Sequence, residues 1–82
     1  MSQINLFRFV IGSQYEEYEF DLEYEKTIIR NNIEYVVYRY KKLEKHFFLG
    51  IEIKRGVFLS YNGDILMEVI IKFTYKDQII IT

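Results

Sequence analysis

The chain has 82 residues, a formal net charge of −1 and neither cysteine nor proline. A chain of this length supports one hydrophobic core, so we expect a single domain over residues 1–82. The balanced charge gives no global preference for nucleic acid or anionic membranes, and the missing cysteines exclude disulfides and cysteine-ligated zinc. Half of the residues are hydrophobic, which excludes extensive disorder.

Hydropathy and composition predict where the protein works. No stretch approaches the 18 or so uncharged apolar residues of a membrane helix, and Arg8 interrupts the N-terminal apolar run. We therefore expect no membrane segment, no signal peptide and a cytoplasmic location. Many Ile, Tyr, Lys and Asn residues and no alanine indicate an AT-rich coding sequence, which is typical of mobile elements.

Apolar and polar residues alternate with a period of two along most of the chain, which predicts strands. The predicted strands cover residues 4–11, 15–30, 33–42, 46–54, 57–61, 65–75 and 78–82. We therefore predict an all-β fold, a small antiparallel barrel or sandwich of about seven strands. The alternative is an α+β fold with one short helix at 41–49, where Tyr40, Leu43 and Phe47 recur at helical spacing.

Two turns set the predicted register. Asn31-Asn32 offers a turn, because Asn tolerates a positive φ. A two-residue turn in "SYNGDI" would place carboxylates opposite apolar residues. A three-residue loop over 61–63 instead pairs Leu59 with Ile65 and gathers the apolar residues on one face. The pattern therefore favours this loop, with Gly63 in the left-handed region.

The last residues, "IIIT", are apolar on both faces of a strand and carry no charge that would protect a sheet edge. Exposed edges of this kind are normally covered or charged. We expect this segment to pair with another strand of the fold or across a homodimer.

The most unusual pattern is "YEEYEFDLEYE" at 15–25. Five acids occupy every second position, and we call them the acidic row: Glu17, Glu19, Asp21, Glu23 and Glu25. On a straight strand these side chains would span about 27 Å on one face. The row is interpreted either as a partner-binding surface or as one neutralised by the next strand, with Glu25 opposite Arg39 and Glu23 opposite Lys41. The near-zero net charge favours neutralisation. The charge density of the row is about fourfold below that of duplex DNA, which weakens the interpretation of the row as a mimic of nucleic acid.

A second segment, "YVVYRYKK", interleaves aromatic and basic residues. Small β-barrels bind single-stranded nucleic acid by stacking bases on aromatic rings beside a basic groove. The corresponding alternative site is made of Tyr38, Arg39, Tyr40, Lys41 and Lys42.

Residues for catalysis are scarce. His46 is the single histidine, and the four glycines are scattered, so no phosphate-binding loop is predicted. We therefore expect no enzyme activity, no cofactor and no metal site. The predicted function is a non-catalytic protein-binding module, such as an inhibitor or adaptor of a phage-like mobile element, that binds a protein partner and forms a homodimer. The alternatives are a nucleic-acid-binding β-barrel and a virion or assembly component.

Overall fold

The computed structural model describes residues 2–3, 9–41 and 46–82. Two short 3-10 turns, Tyr15–Glu17 and Glu19–Asp21, precede the second strand. The strands in this part of the chain are β1 (Ser2–Gln3), β2 (Leu22–Arg30), β3 (Ile33–Tyr40), β4 (His46–Phe48), β5 (Ile51–Ile53), β6 (Gly56–Asn62), β7 (Ile65–Lys72) and β8 (Gln78–Ile81). The prediction of an all-β domain is confirmed.

The alternative helix at 41–49 is wrong where it can be compared. Residues His46–Phe48 form β4, and residues 42–45 lie outside the described part of the chain. In residues 2–3, 9–41 and 46–82 no helix has the length and apolarity that crossing a bilayer requires.

The strands form two sheets. The larger sheet is antiparallel with the order β2-β3-β6-β7-β8, and the smaller one has the order β1-β4-β5 with β1 parallel to β4. Strands β2 and β8 are the edges of the larger sheet, which is not closed into a barrel. The sandwich stays a prediction.

Several predicted strand bounds are wrong. The predicted strand 15–30 begins only at Leu22. The predicted strand 46–54 is divided into β4 and β5 by a turn at Leu49 and Gly50, which both have a positive φ. The predicted strand 4–11 lies mostly outside the described residues, and Phe9, which is described, is buried in the core without belonging to a strand.

The predicted turn between β2 and β3 is confirmed. Asn31 and Asn32 have φ values of 52° and 64°, and Arg30 pairs with Ile33 on either side of them. Positive φ at both central residues is the conformation that hairpins with a two-residue turn favour. A bulge at Glu25 then adds one residue to β2.

The predicted loop between β6 and β7 is wrong in length. Asn62 pairs with Ile65, so the turn consists of Gly63 and Asp64 alone. Gly63 has a φ of 59°, which confirms its left-handed conformation. The predicted pairing of Leu59 with Ile65 is replaced by pairing of Leu59 with Val69.

The turn at Gly63-Asp64 and a bulge at Met67 together explain the difference in register. Ser60 pairs with Glu68 and the next residue, Tyr61, pairs with Leu66, so Met67 has no partner in β6. The extra residue lets both Leu66 and Val69 face the core although they are three residues apart. The apolar pattern is satisfied by a bulge in the strand rather than by a longer turn.

The C-terminal segment pairs within the chain. Ile79 and Ile81 of β8 lie opposite Ile71 and Val69 of β7. Farther along the same edge of β7, Leu66 accepts a hydrogen bond from the Gly12 amide at 2.8 Å and donates one to the Ser13 carbonyl at 2.9 Å. The homodimer stays a prediction.

The two faces of the larger sheet differ. One, the core face, packs against residues 9–22 and the small sheet. The buried residues of the resulting core are Phe9, Leu22, Tyr40, Ile53, Val57, Leu59, Tyr61, Leu66, Val69, Ile71 and Phe73. The opposite face also buries three residues of the central strands, Val37, Phe58 and Ser60, although none of them belongs to this core cluster. We call it the concave face, because the sheet curls toward it.

Candidate functional site

The acidic row is not a straight strand. Glu17, Glu19 and Asp21 lie in the two 3-10 turns, and only Glu23 and Glu25 lie in β2. Glu25 is moreover the bulged residue, so the alternation is broken between it and Glu23. The predicted 27 Å row is therefore wrong, and the five acids are distributed around a bend.

The spacing of three other residues explains the bend. Tyr15, Tyr18 and Leu22 are separated by three and four residues, and all three pack into or against the core. Hydrogen bonds from the Tyr18 amide to the Tyr15 carbonyl (3.1 Å) and from the Asp21 amide to the Tyr18 carbonyl (2.8 Å) close the two turns. The alternation of Phe20 with Leu22 concealed this helical spacing, which is the feature of the sequence that indicates the two turns.

Phe20 points away from the core in the second turn, where its side chain is 86% exposed. Glu16 and Glu17 are exposed and Glu19 is half-buried in the same segment. In the described residues none of these three carboxylates forms an ion pair. We call Glu16, Glu17, Glu19 and Phe20 the acidic turn surface.

An ion pair with β3 neutralises part of the acidic row. Glu23 lies opposite Arg39, whose Nη2 donates to the Glu23 carboxylate at 3.2 Å. The predicted partners, Arg39 for Glu25 and Lys41 for Glu23, are wrong, because the two-residue turn and the bulge at Glu25 each shift the register by one. The Lys41 amide donates instead to the backbone carbonyl of Asp21 at 2.8 Å.

Tyr38 and Tyr40 lie on the opposite face of β3 from Arg39. Tyr40 is buried, and its ring meets Phe9 edge-on at 5.1 Å between centroids. Tyr38 contacts the ring of Tyr15 at 4.9 Å, and burial, followed by the neighbouring Tyr15, raises the pKa of its hydroxyl. Arg39 is on the concave face with Glu23.

The remaining members of that predicted site add little. Lys41 is exposed just after β3, and Lys42 lies outside the described residues. The structure therefore does not bring Tyr38, Tyr40 and Arg39 onto one surface.

A cavity of about 190 Å³ lies on the concave face and has residues from all five strands in its wall. The lining residues are Glu25, Lys26, Ile28, Val37, Phe58, Ile70, Lys72 and Gln78. The ammonium nitrogen of Lys72 stands 4.8 Å from the ring centroid of Phe58, in the geometry of a cation–π contact. Alternation along β2 did not predict this cavity, because the bulge at Glu25 changes which residues share a face.

Ser60 is fully buried on the same face, opposite Val37 on one side and Glu68 on the other. Its hydroxyl has no hydrogen-bond partner. Buried polar atoms ordinarily have one, so this hydroxyl is an unexplained polar group inside the curl of the sheet.

A larger groove, about 520 Å³, lies between β5 and the connection from β7 to β8. Its charged lining residues are Glu52, Lys54, Lys76 and Asp77, so the two signs balance. Beside this connection Arg55 stacks on the exposed ring of Tyr75 at 3.9 Å. The balanced charge gives the groove no preference for a class of ligand.

Among the described residues no group of three or more His, Asp or Glu side chains is placed to hold a metal ion. The backbone of His46 pairs with Ser2 and Ile53 in the small sheet.

Comparison with known proteins assigns no relative. No protein-family model matches this chain, and no curated protein and no solved structure shows significant similarity to it. Exposure, charge and cavity shape are therefore the features from which a function is inferred.

Proposed function

We propose that the chain is a non-catalytic protein-binding module, an inhibitor or adaptor, that engages its partner through the acidic turn surface. The observation that carries the proposal is Phe20, which is 86% exposed in a segment with three carboxylates that have no ion pair among the described residues. Exposed aromatic side chains that become buried in a partner's pocket are typical binding hot spots.

Charge defines the partner. Glu16, Glu17 and Glu19 lie within four residues of Phe20 and give this segment a negative charge, so the complementary surface is basic with an apolar pocket. Burial of the Phe20 side chain contributes about 1.5 to 3 kcal/mol to binding. The carboxylates contribute mainly to the association rate and to the choice of partner.

The proposal is tested by affinity capture from a lysate of the source cells, with and without nuclease, using the wild type and two pairs of variants. Phe20→Ala is matched by Tyr75→Ala, because the two side chains are 86% and 87% exposed. Glu17→Lys is matched by Glu34→Lys, another exposed carboxylate, near the hairpin turn. All four variants should unfold at the wild-type temperature.

We expect one protein to be captured in both lanes, about tenfold less by Phe20→Ala and Glu17→Lys, and at the wild-type level by the two controls. Capture that disappears with nuclease would favour nucleic-acid binding instead. Equal loss with Phe20→Ala and Tyr75→Ala, or no specific capture, would contradict the proposal.

A further inference from the structure

We propose that the cavity on the concave face binds a small organic anion that carries one apolar group, such as an aromatic ring or a short alkyl chain. This site is separate from the acidic turn surface and does not depend on the protein-binding proposal. The class of ligand is inferred from the shape of the cavity, its apolar floor and the charges at its mouth.

The shape comes from the curl of the sheet. Edge strand β2 provides Glu25, Lys26 and Ile28, and the other edge strand, β8, provides Gln78. Both edges border one cavity because the sheet bends toward this face. Its volume of about 190 Å³ is below the roughly 300 to 1,000 Å³ of sites for drug-sized ligands, so it suits a molecule the size of a single ring with a short substituent.

The floor is apolar. Val37 and Phe58 are buried although they lie opposite the core face, and Ile28 and Ile70 stand beside them. An apolar group placed here would be removed from water, which favours binding. The floor therefore selects a ligand with an apolar part.

The mouth favours an anion. Lys26 and Lys72 approach the cavity from β2 and β7, and neither forms an ion pair in the described part of the chain. Among the described lining residues Glu25 is the one carboxylate, so the mouth has a net positive charge, and the amide of Gln78 adds a neutral donor. Lysine ammonium groups donate short, strong hydrogen bonds to carboxylates.

The position of Lys72 fixes how the two parts of the ligand are connected. Its ammonium nitrogen is 4.8 Å from the centroid of the Phe58 ring, so the positive charge stands directly over the floor. A ligand with its acid group one or two bonds from a ring would reach both.

Titration of the ¹⁵N-labelled protein, followed by amide NMR shifts, tests the site. Phenylacetate is the first probe, octanoate tests the alkyl form of the ligand, and phenethylamine is the matched cation. We expect saturable shifts at Val37, Phe58, Ile70 and Gln78 with at least one of the two acids, and none that saturate with the amine. Saturation with the amine as well, or with neither acid, would overturn the proposal.

Lysine variants locate the charge contribution. Lys26→Gln and Lys72→Gln should each weaken binding about tenfold, since each removes a hydrogen bond to a charged group. Lys76→Gln is the matched control, because Lys76 lines the other groove. Thermal unfolding of each variant shows whether the fold is intact. Unchanged affinity in both cavity variants, or shifts confined to residues 51–54, would overturn the site.

Discussion

Arg30 donates a hydrogen bond from Nη2 to Oε1 of Glu68 at 2.8 Å, which joins edge strand β2 to β7 across the two strands between them. Glu68 pairs with Ser60 of β6, and Ser60 pairs with Val37 of β3. Val37 lies four residues along β3 from Ile33, which is the partner of Arg30. In a flat sheet the two α-carbons would stand about 20 Å apart. Two side chains cannot span that distance, so the ion pair exists because the sheet curls.

Replacement of Arg30 by Met should lower the free energy of unfolding by about 1 to 2 kcal/mol. The Glu68 side chain is only 15% exposed, so the variant leaves a largely buried carboxylate without its cation, whereas Arg30 itself is 49% exposed. Urea denaturation of Arg30→Met, Glu68→Gln and the double variant gives the coupling energy between the two residues.

The second ion pair of the larger sheet is the control. Arg39 and Glu23 are 45% and 57% exposed, and their coupling should be only about 0.2 to 0.5 kcal/mol and fall with added salt. Equal coupling in the two pairs would contradict the conclusion that the burial of Glu68 makes its ion pair with Arg30 the stronger of the two.

Much of the fold could be predicted from local chemistry. The Asn31-Asn32 turn and the pairing of the C-terminal isoleucines follow from residue preferences for a positive φ and for covered sheet edges. What could not be predicted are the bulges at Glu25 and Met67. A bulge exchanges the faces of every residue beyond it, and in β7 the break in alternation is concealed because Ile65, Met67 and Ile70 are apolar as well.

The candidate sites illustrate the same limit. The acidic row was visible in the sequence, but its shape depends on Tyr15, Tyr18 and Leu22, whose three- and four-residue spacing competes with the alternation. The cavity could not be predicted at all, because Lys26 and Lys72 meet only through the curl of the whole sheet. Contacts between residues that are distant in the chain could not be predicted from the sequence.

Gly63→Ala should destabilise the protein by about 1 to 2 kcal/mol. Gly63 has a φ of 59°, and although a Cβ there would meet no atom within 4 Å, the backbone conformation itself is strained for alanine. Gly63→Asn is the matched variant, because Asn tolerates this region, and it should lose less. Equal unfolding midpoints in urea for Gly63→Ala and the wild type would show that the turn is not the one described.

Asn32→Gly should raise the free energy of unfolding by a few tenths of a kcal/mol, about 0.5 at most. Asn32 has a φ of 64° at the second central position of the β2–β3 turn, where glycine is favoured. Asn62→Gly is the control, since Asn62 is paired in β6 rather than in a turn, and glycine in a strand is unfavourable. A loss of stability with Asn32→Gly would contradict the proposed turn geometry.

Alkaline pH should destabilise the protein through Tyr61. Burial raises the pKa of its hydroxyl above the ordinary value of 10.0, with smaller contributions from Tyr18, Tyr15 and Tyr38. Below about pH 10 the hydroxyl is protonated in both states and contributes no pH dependence. Above it, the unfolded state loses the proton while the folded state keeps it, so stability falls by up to about 1.4 kcal/mol per pH unit.

Tyr61→Phe separates this effect from packing. The hydroxyl has no hydrogen-bond partner, so at about pH 7 the variant should be as stable as the wild type or slightly more stable. Urea denaturation at about pH 7 and about pH 11 should then show a smaller loss of stability for Tyr61→Phe than for the wild type. The pH dependence that remains includes Tyr38, whose pKa is also raised by burial. An unchanged loss at alkaline pH, or a marked loss at neutral pH, would mean that the hydroxyl is solvated or hydrogen-bonded in solution.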